Sequence, residues 1–467
     1  MSERSLVTIA AAIRTRRMSP VEAVGSCLDR VRRLDKRMRA FIRLDESGAL
    51  GAAKALEADA AAGRWQGPLH GVPVAFKDLC HLQGLPTSCG TKTPEYFTSS
   101  QECTAARRLL DAGAISLGKL NMTELAMGPY GDNAHHGDVD NPWRAGHCAG
   151  GSSSGSGAGV AAGFFLGALG TDTGGSIRLP AACCGIVGLK PTYGRVSRAG
   201  AMPLSWSMDH IGPMAWTVRD VAILLQVIAG RDRADETSSR HAMPDYLARL
   251  EEGVAGLRVG IPEGYFFHGV DAEIAAGVRQ TGRLLEELGA HVSEVKVPDP
   301  QAILDIAMLI TRSEASTLHA RIARERPHEL QPMVRARLEV GFGISAYDYL
   351  QALRLRARLT RSFIRDVFSE VDVLLTPTIP EPAPAREPLK ALTPDEFNVR
   401  AGNFSRLTRP FNAYGLPALS VPCGQSKLGL PLAFQLVGRP FDEALLLRVG
   451  HAYQEAASWH HQRPALG

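Results

Sequence analysis

The stretch from Gly150 to Pro191 limits what this chain can fold into more than any other. It reads GGSSSGSGAGVAAGFFLGALGTDTGGSIRLPAACCGIVGLKP, two serine- and glycine-rich knots with small apolar residues between them. No charged side chain occurs from Ala145 to Thr171, a length that could span a bilayer. Half of residues 148–171 are glycine or serine, however, so the segment is expected in a protein interior. Glycine pairs let backbone approach backbone, or a ligand, where a β-carbon would clash. Asp172 and Arg178 bracket the second pair, Gly174-Gly175, and Ser176 follows it directly. A hydroxyl among free N–H donors suits the attack on a carbonyl and the oxyanion that results. The stretch therefore points to acyl transfer, with Ser176 as the nucleophile.

The flanking sequence reads as strand and helix in alternation. Two helices are predicted at 6–16 and 20–34, the second opened by a capping box of Ser19, Pro20 and Glu22. Val21, Val24, Leu28 and Val31 form its apolar stripe, and a third helix runs through 48–62. Gly71 to Lys77 and Ala114 to Gly118 read as short strands around a helix at 104–112. Thr217 and Asp220 cap another helix, which Gly230 stops. A strand at 257–261, a helix at 271–288 and a strand at 291–297 make a βαβ unit, hence a partly parallel sheet. A long helix is expected at 345–370, a buried strand at 371–375 and an extended loop through the five prolines of 377–388. Strands at 417–422 and 431–437 and a helix at 443–457 close the chain. The expectation is one large α/β domain over 1–467: a helical portion at 1–66, a core at 67–230 and a half at 256–467 that completes sheet and pocket.

Several motifs compete for the chemistry. Gly151-Ser-Ser-Ser-Gly155 matches G-x-S-x-G, which would make Ser153 a nucleophile, but Asn141-Pro-Trp-Arg-Ala-Gly-His precedes it where that motif needs a strand. Ser116-Leu-Gly-Lys119 matches S-x-x-K, yet Ser116 lies inside a strand pattern and no K-T-G box follows. The knot at 150–157 contains no lysine, so it is not a phosphate loop. His135-His136 and His460-His461 read as surface histidines, and no metal is expected. The eight cysteines show no CxxC pair or Cys/His ligand spacing and read as buried free thiols of a reducing cytosol. The N-terminus lacks the apolar run and cleavage site of a signal peptide, so a cytoplasmic protein is expected.

Across most of its length the chain resembles the amidase signature family. The residues that carry this are Gly71-Val-Pro-Val-Ala-Phe-Lys-Asp78, Gly118-Lys-Leu-Asn-Met-Thr-Glu-Leu125, Gly150-Gly-Ser-Ser-Ser-Gly155 and Gly170-Thr-Asp-Thr-Gly-Gly-Ser-Ile-Arg-Leu-Pro180, joined later by Gly415-Leu-Pro-Ala-Leu-Ser-Val-Pro-Cys-Gly424. The resemblance implies an α/β fold with a large, mixed, twisted β-sheet covered by helices on both faces. It also implies a Ser–cis-Ser–Lys triad in which Lys77 is the base, Ser152 the bridging serine after a cis peptide and Ser176 the acylated serine. Backbone N–H groups of Thr173, Gly174, Gly175 and Ser176 would form the oxyanion hole. Met127, Gly128, Tyr130 and Arg178 are candidate substrate contacts, with Arg178, like Asp172, read first as a loop brace. Phe342 and Phe404 are further candidate lining. Pocket shape is assigned to loops at 126–137, 300–345 and 378–410.

The implied activity is hydrolysis of a carboxylic amide to acid and amine through a serine acyl-enzyme, with no cofactor. Asn141-Pro-Trp, Val187 to Ser197 and Asp209-His-Ile-Gly-Pro213 also read closely like the glutaminase component of the tRNA-dependent amidotransferases within that family, which gives a glutaminase as the alternative. Where that component carries an aspartate for the glutamine ammonium, this chain has Ser405 beside Arg406 and Arg409, and a basic group there repels an ammonium. A stand-alone amidase is the preferred reading; a non-catalytic scaffold of the same fold is the third. The expected partner is a small-molecule amide, and a homodimer is compatible with the reading. With 52 basic against 48 acidic residues, neither membrane nor direct nucleic-acid contact is expected.

Overall fold

A computed structural model describes residues 5–466. Eleven strands form one sheet: β1 Phe41–Leu44, β2 Pro73–Lys77, β3 Ile115–Leu120, β4 Gly167–Asp172, β5 Val187–Lys190, β6 His210–Ala215, β7 Arg258–Ile261, β8 His291–Glu294, β9 Val373–Pro377, β10 Ala418–Gln425 and β11 Pro431–Val437. Their order across the sheet is β1-β3-β2-β4-β6-β5-β10-β11-β9-β7-β8. The sheet is mixed: β2 runs parallel to β3 and β4, and β7 runs parallel to β8 and β9, whereas the strands between these groups pair antiparallel. Pairing of Ala418 to Ser420 with Gly188 to Lys190 joins the two halves of the chain.

Helices cover both faces, because successive strand residues point to opposite sides. Along β2, Val74 and Phe76 enter the core that holds Val221, Leu224 and Leu225 of the helix Val218–Ile228. Ala75 enters the opposite core, with Val24, Leu28 and Val31 of the helix Pro20–Met38. The central strand is thus buried on both faces, and its lysine emerges where neither face offers water.

Local signals set many element ends. Ser19 Oγ accepts from the Glu22 N–H at 3.1 Å while Glu22 accepts from the Ser19 N–H at 2.8 Å. Thr217 and Asp220 form a second reciprocal cap, and Asp220 also accepts from the Val7 N–H at 3.0 Å, tying the first helix to this one. The strand Pro431–Val437 and the helix Glu443–Ala457 have the expected bounds. The strand expected at 371–375 lies instead at Val373–Pro377, and the one at 291–297 ends at Glu294.

The expected loops at 300–345 and 378–410 are largely helical. The helices Gln301–Leu318, Ala320–Glu325 and Pro332–Phe342 fill most of the first, and Arg386–Lys390 and Pro394–Phe404 part of the second. The reason lies in the sequence: Ile303, Ile306, Ala307 and Ile310 are buried at helical spacing. The helix Pro394–Phe404 starts with a capping box between Thr393 and Glu396.

Candidate active site

The two knots of residues 150–176 meet at the end of β2. Lys77, the last residue of that strand, is fully buried. Its Nζ donates to Ser152 Oγ at 2.7 Å and to Thr171 Oγ1, on the neighbouring β4, at 2.8 Å. Among the described residues no carboxylate pairs with it. Burial therefore pushes the Lys77 ammonium down to about 7, only partly opposed by more distant groups such as Asp172 and Asp209. A second buried lysine, Lys119 on β3, differs: it pairs with Asp78 at 3.1 Å and donates to Thr87 Oγ1 at 2.9 Å. The S-x-x-K lysine is thus held in a structural ion pair.

The Gly151–Ser152 peptide is cis. The Gly151 N–H donates to the Pro129 carbonyl at 2.7 Å, and the Ser152 carbonyl accepts from the Thr123 N–H at 3.2 Å. A β-carbon on Gly151 would sit 2.6 Å from the Gly128 carbonyl oxygen, so only glycine fits here. Ser153, the rival nucleophile, is locked: its Oγ donates to the Thr171 carbonyl and accepts from the Thr171 N–H, both at 3.2 Å. The Ser153 N–H donates to the Ser176 carbonyl at 3.3 Å, which joins the first knot to the second.

The second knot is braced from behind. Asp172 accepts from the Gly175 N–H at 2.7 Å and from Arg178 Nε and Nη2 at 3.0 Å each. Arg178 also donates to Gln435 Oε1 at 2.9 Å and Asn412 Oδ1 at 2.7 Å. The guanidinium beside Asp172 holds that carboxyl well below its usual range despite burial. Arg178 is fully buried in this network and does not line the cavity in front of Ser176. It braces the turn. Gly175 is similarly withdrawn, because its N–H is already donated to Asp172. Thr173, Gly174 and Ser176 do line the cavity, and Thr173 Oγ1 is anchored on Asp209 at 2.6 Å.

The cavity measures about 110 Å³, the size for a small molecule. Met127 and Gly128 line it, together with Leu179, Met308, Asn398 and Ser405. Tyr130 does not; its ring packs against Phe397 and Phe404, with centroids 5.4 and 5.1 Å apart. Phe404 is fully buried in that cluster. Phe342 faces solvent under the Arg324 guanidinium. Arg409, already marked beside Ser405, lines the cavity too, and two further lining residues, Arg312 and Arg337, carry no signal in the sequence as site residues. An arginine on a polar helix face reads as solvated until the fold places it.

The histidines at 135 and 136 are half-buried, not surface groups. His135 Nε2 lies 2.8 Å from Glu124 Oε1, and His136 Nε2 lies 3.0 Å from the Thr91 carbonyl. Glu124 is itself pushed up to about 7 by burial. Among the described residues no group of three or more histidine, cysteine or acidic side chains could hold a metal ion. No helix among them is long and apolar enough to cross a membrane.

Comparison with known proteins points the same way as this geometry. The family described as Amidase matches residues 22–447. The chain is similar to the A-type component of the glutamyl-tRNA(Gln) amidotransferase of Chloroflexus aggregans, 41% identical over 100% of this chain and 99% of that one. It is equally similar to an amidase of Pseudomonas putida, 43% identical over 100% of this chain and 98% of the relative. Among solved structures, one from a vestigial protein complex bearing on the origins of an s-triazine catabolic enzyme superposes with a TM-score of 0.90, at 33% identity over 97% of this chain and 98% of that one.

Proposed function

The chain belongs to the amidase signature family, and from this premise we propose that it hydrolyses a carboxylic amide through an acyl-enzyme on Ser176. The observation that carries the reading is the buried lysine without a carboxylate partner, 2.7 Å from a serine of the first knot. An exposed lysine is protonated at neutral pH and cannot act as a base. With Lys77 brought down to about 7, a large fraction is neutral there. The 2.7 Å contact then reverses, and the Ser152 hydroxyl donates to Nζ.

In this mechanism Ser176 Oγ attacks the amide carbonyl carbon and passes its proton to Ser152, which passes its own to Lys77. The backbone N–H groups of Thr173, Gly174 and Ser176 receive the oxyanion. The Gly175 N–H, held by Asp172, serves to fix the turn. Collapse breaks the C–N bond, and the relay runs backward to protonate the departing amine. Water then attacks the ester, gives its proton to the same relay, and releases the acid with Ser176 restored. These steps are carried by the chain's own side chains and backbone.

The first test is hydrolysis of a simple aryl amide by the purified chain, abolished in Ser176→Ala. No turnover across aryl, aliphatic and amino-acid amides, with or without partner proteins, would sink the enzyme reading. The similarity to amidotransferase components supports a second reading, release of ammonia from glutamine within a complex. Arg409 beside Ser405 weighs against it, because the α-ammonium of glutamine would face a guanidinium. Efficient ammonia release from glutamine, rising when the other amidotransferase components and tRNA are added, would favour the second reading.

A further inference from the structure

Three guanidinium groups line the cavity, and among the described residues no carboxylate does. They converge from separate helices: Arg312 from Gln301–Leu318, Arg337 from Pro332–Phe342 and Arg409 from Arg409–Ala413. Arg409 lies over the turn that holds Ser176. A β-carbon on Gly174 would stand 3.2 Å from its Cζ and Nη1. Its Nη2 donates to Ser405 Oγ at 2.9 Å, a neutral group, and the acid that partly offsets its charge, Asp172, is already paired with Arg178 and does not line the cavity. Arg337 is held in place by Asn398 Oδ1 at 2.7 Å and the Met127 carbonyl at 2.5 Å, and its nearby acid, Asp132, does not line the cavity. Arg312 makes no ion pair among the described residues. Burial and the like charges of Arg337 and Arg312 push Arg409 down to about 10. Holding three such cations on one wall is costly, and an anionic ligand offsets that cost.

We propose that the amide cleaved here carries a carboxylate at the far end of its acyl chain, seated against Arg312, Arg337 and Arg409, and no compensating ammonium group. This rests on the amidase reading above. The acyl part is the half that stays on Ser176 through both half-reactions, so it is the half the arginine wall can hold throughout. Hydrolysis of such a half-amide breaks the C–N bond, forms a C–O bond from water and yields a dicarboxylate and an amine that takes up the released proton. Planar guanidinium groups match a carboxylate with paired N–H donors, which a neutral ester or amide end cannot use as fully.

The test measures binding and turnover separately. The full-length Ser176→Ala chain is titrated by calorimetry with malonamate, succinamate and glutaramate, each against its methyl ester, and with 4-aminobutanamide as the cationic counterpart. At least one half-amide is expected to bind about tenfold or more tightly than its ester, a preference that shrinks as salt is raised. Adding Arg312→Gln, which removes no ion pair from the fold, is expected to narrow that ratio about threefold or more. If no half-amide binds more tightly than its ester, or if 4-aminobutanamide binds best, the charge inference is overturned. Turnover by the unaltered chain decides the other question. Cleavage of neutral amides with no preference for half-amides removes the anionic substrate and leaves the amidase. Selective binding of a half-amide with no amide ever cleaved removes the amidase and leaves the anion site.

Discussion

One wall of the cavity comes from residues 126–204 and carries no charge; the other comes from residues 308–409 and carries three arginines. The first combines apolar side chains such as Met127 and Leu179 with the glycines and hydroxyls of the second knot, which short hydrogen bonds to Asp172 and Asp209 fix in place. The second sets its three long arginine side chains among smaller residues such as Thr311, Ala315 and Ser405. The contrast separates two tasks. A wall that handles a moving proton and a developing oxyanion needs fixed donors and a neutral base. A wall that selects a ligand needs charge and reach, which flexible side chains supply. Two of the buried lysines make the same point at close range. Lys119 has Asp78 beside it in an ion pair, while Lys77 donates only to hydroxyls, as the proposed base requires.

The sharpest way to break this division is at Lys77. Lys77→Ala is expected to lower kcat/KM by ~10²–10⁴. In the unaltered chain kcat/KM should rise as pH increases through about 7, because the base acts only after losing its proton and burial has set that loss near 7. The variant should lose this limb of the pH–rate profile. A profile that keeps its midpoint without Lys77 would assign the titration to another group.

Arg178→Met should act on stability and only through it on activity. It leaves Asp172 buried and short of its guanidinium partner, a loss of ~3–5 kcal/mol that urea unfolding would read. Gly151→Ala tests the close approach of the first knot. The added methyl meets the Gly128 carbonyl and should cost ~1–3 kcal/mol or more. Phe342→Ala should do least. The ring is exposed, so the change in stability should stay within about 0.5 kcal/mol and kcat/KM should not move.

Much of the site is legible in the sequence because its residues obey short-range rules. The knots at 151–153 and 173–176 announce themselves by glycine beside serine, and Lys77 stands at the end of an apolar run on a central strand. The helix caps at Ser19 and Thr217 are equally readable, since their partners lie three residues away. The segment 300–345 reads as loop although its apolar spacing is helical. There the polar and charged residues between the apolar ones obscure the period.

By itself, then, the sequence determined the alternation of strand and helix, the glycine knots and the residues of the proposed relay. Only the tertiary structure decided that Arg178 turns inward to Asp172, that the Gly175 N–H is already taken, and that Arg312, Arg337 and Arg409 share one cavity. The physical reason is sequence separation. A cap or a glycine turn is fixed by atoms a few residues apart, and its pattern is written locally. The arginines are brought to one wall by the packing of separate helices, and no local pattern distinguishes Arg312 and Arg337 from arginines left in solvent.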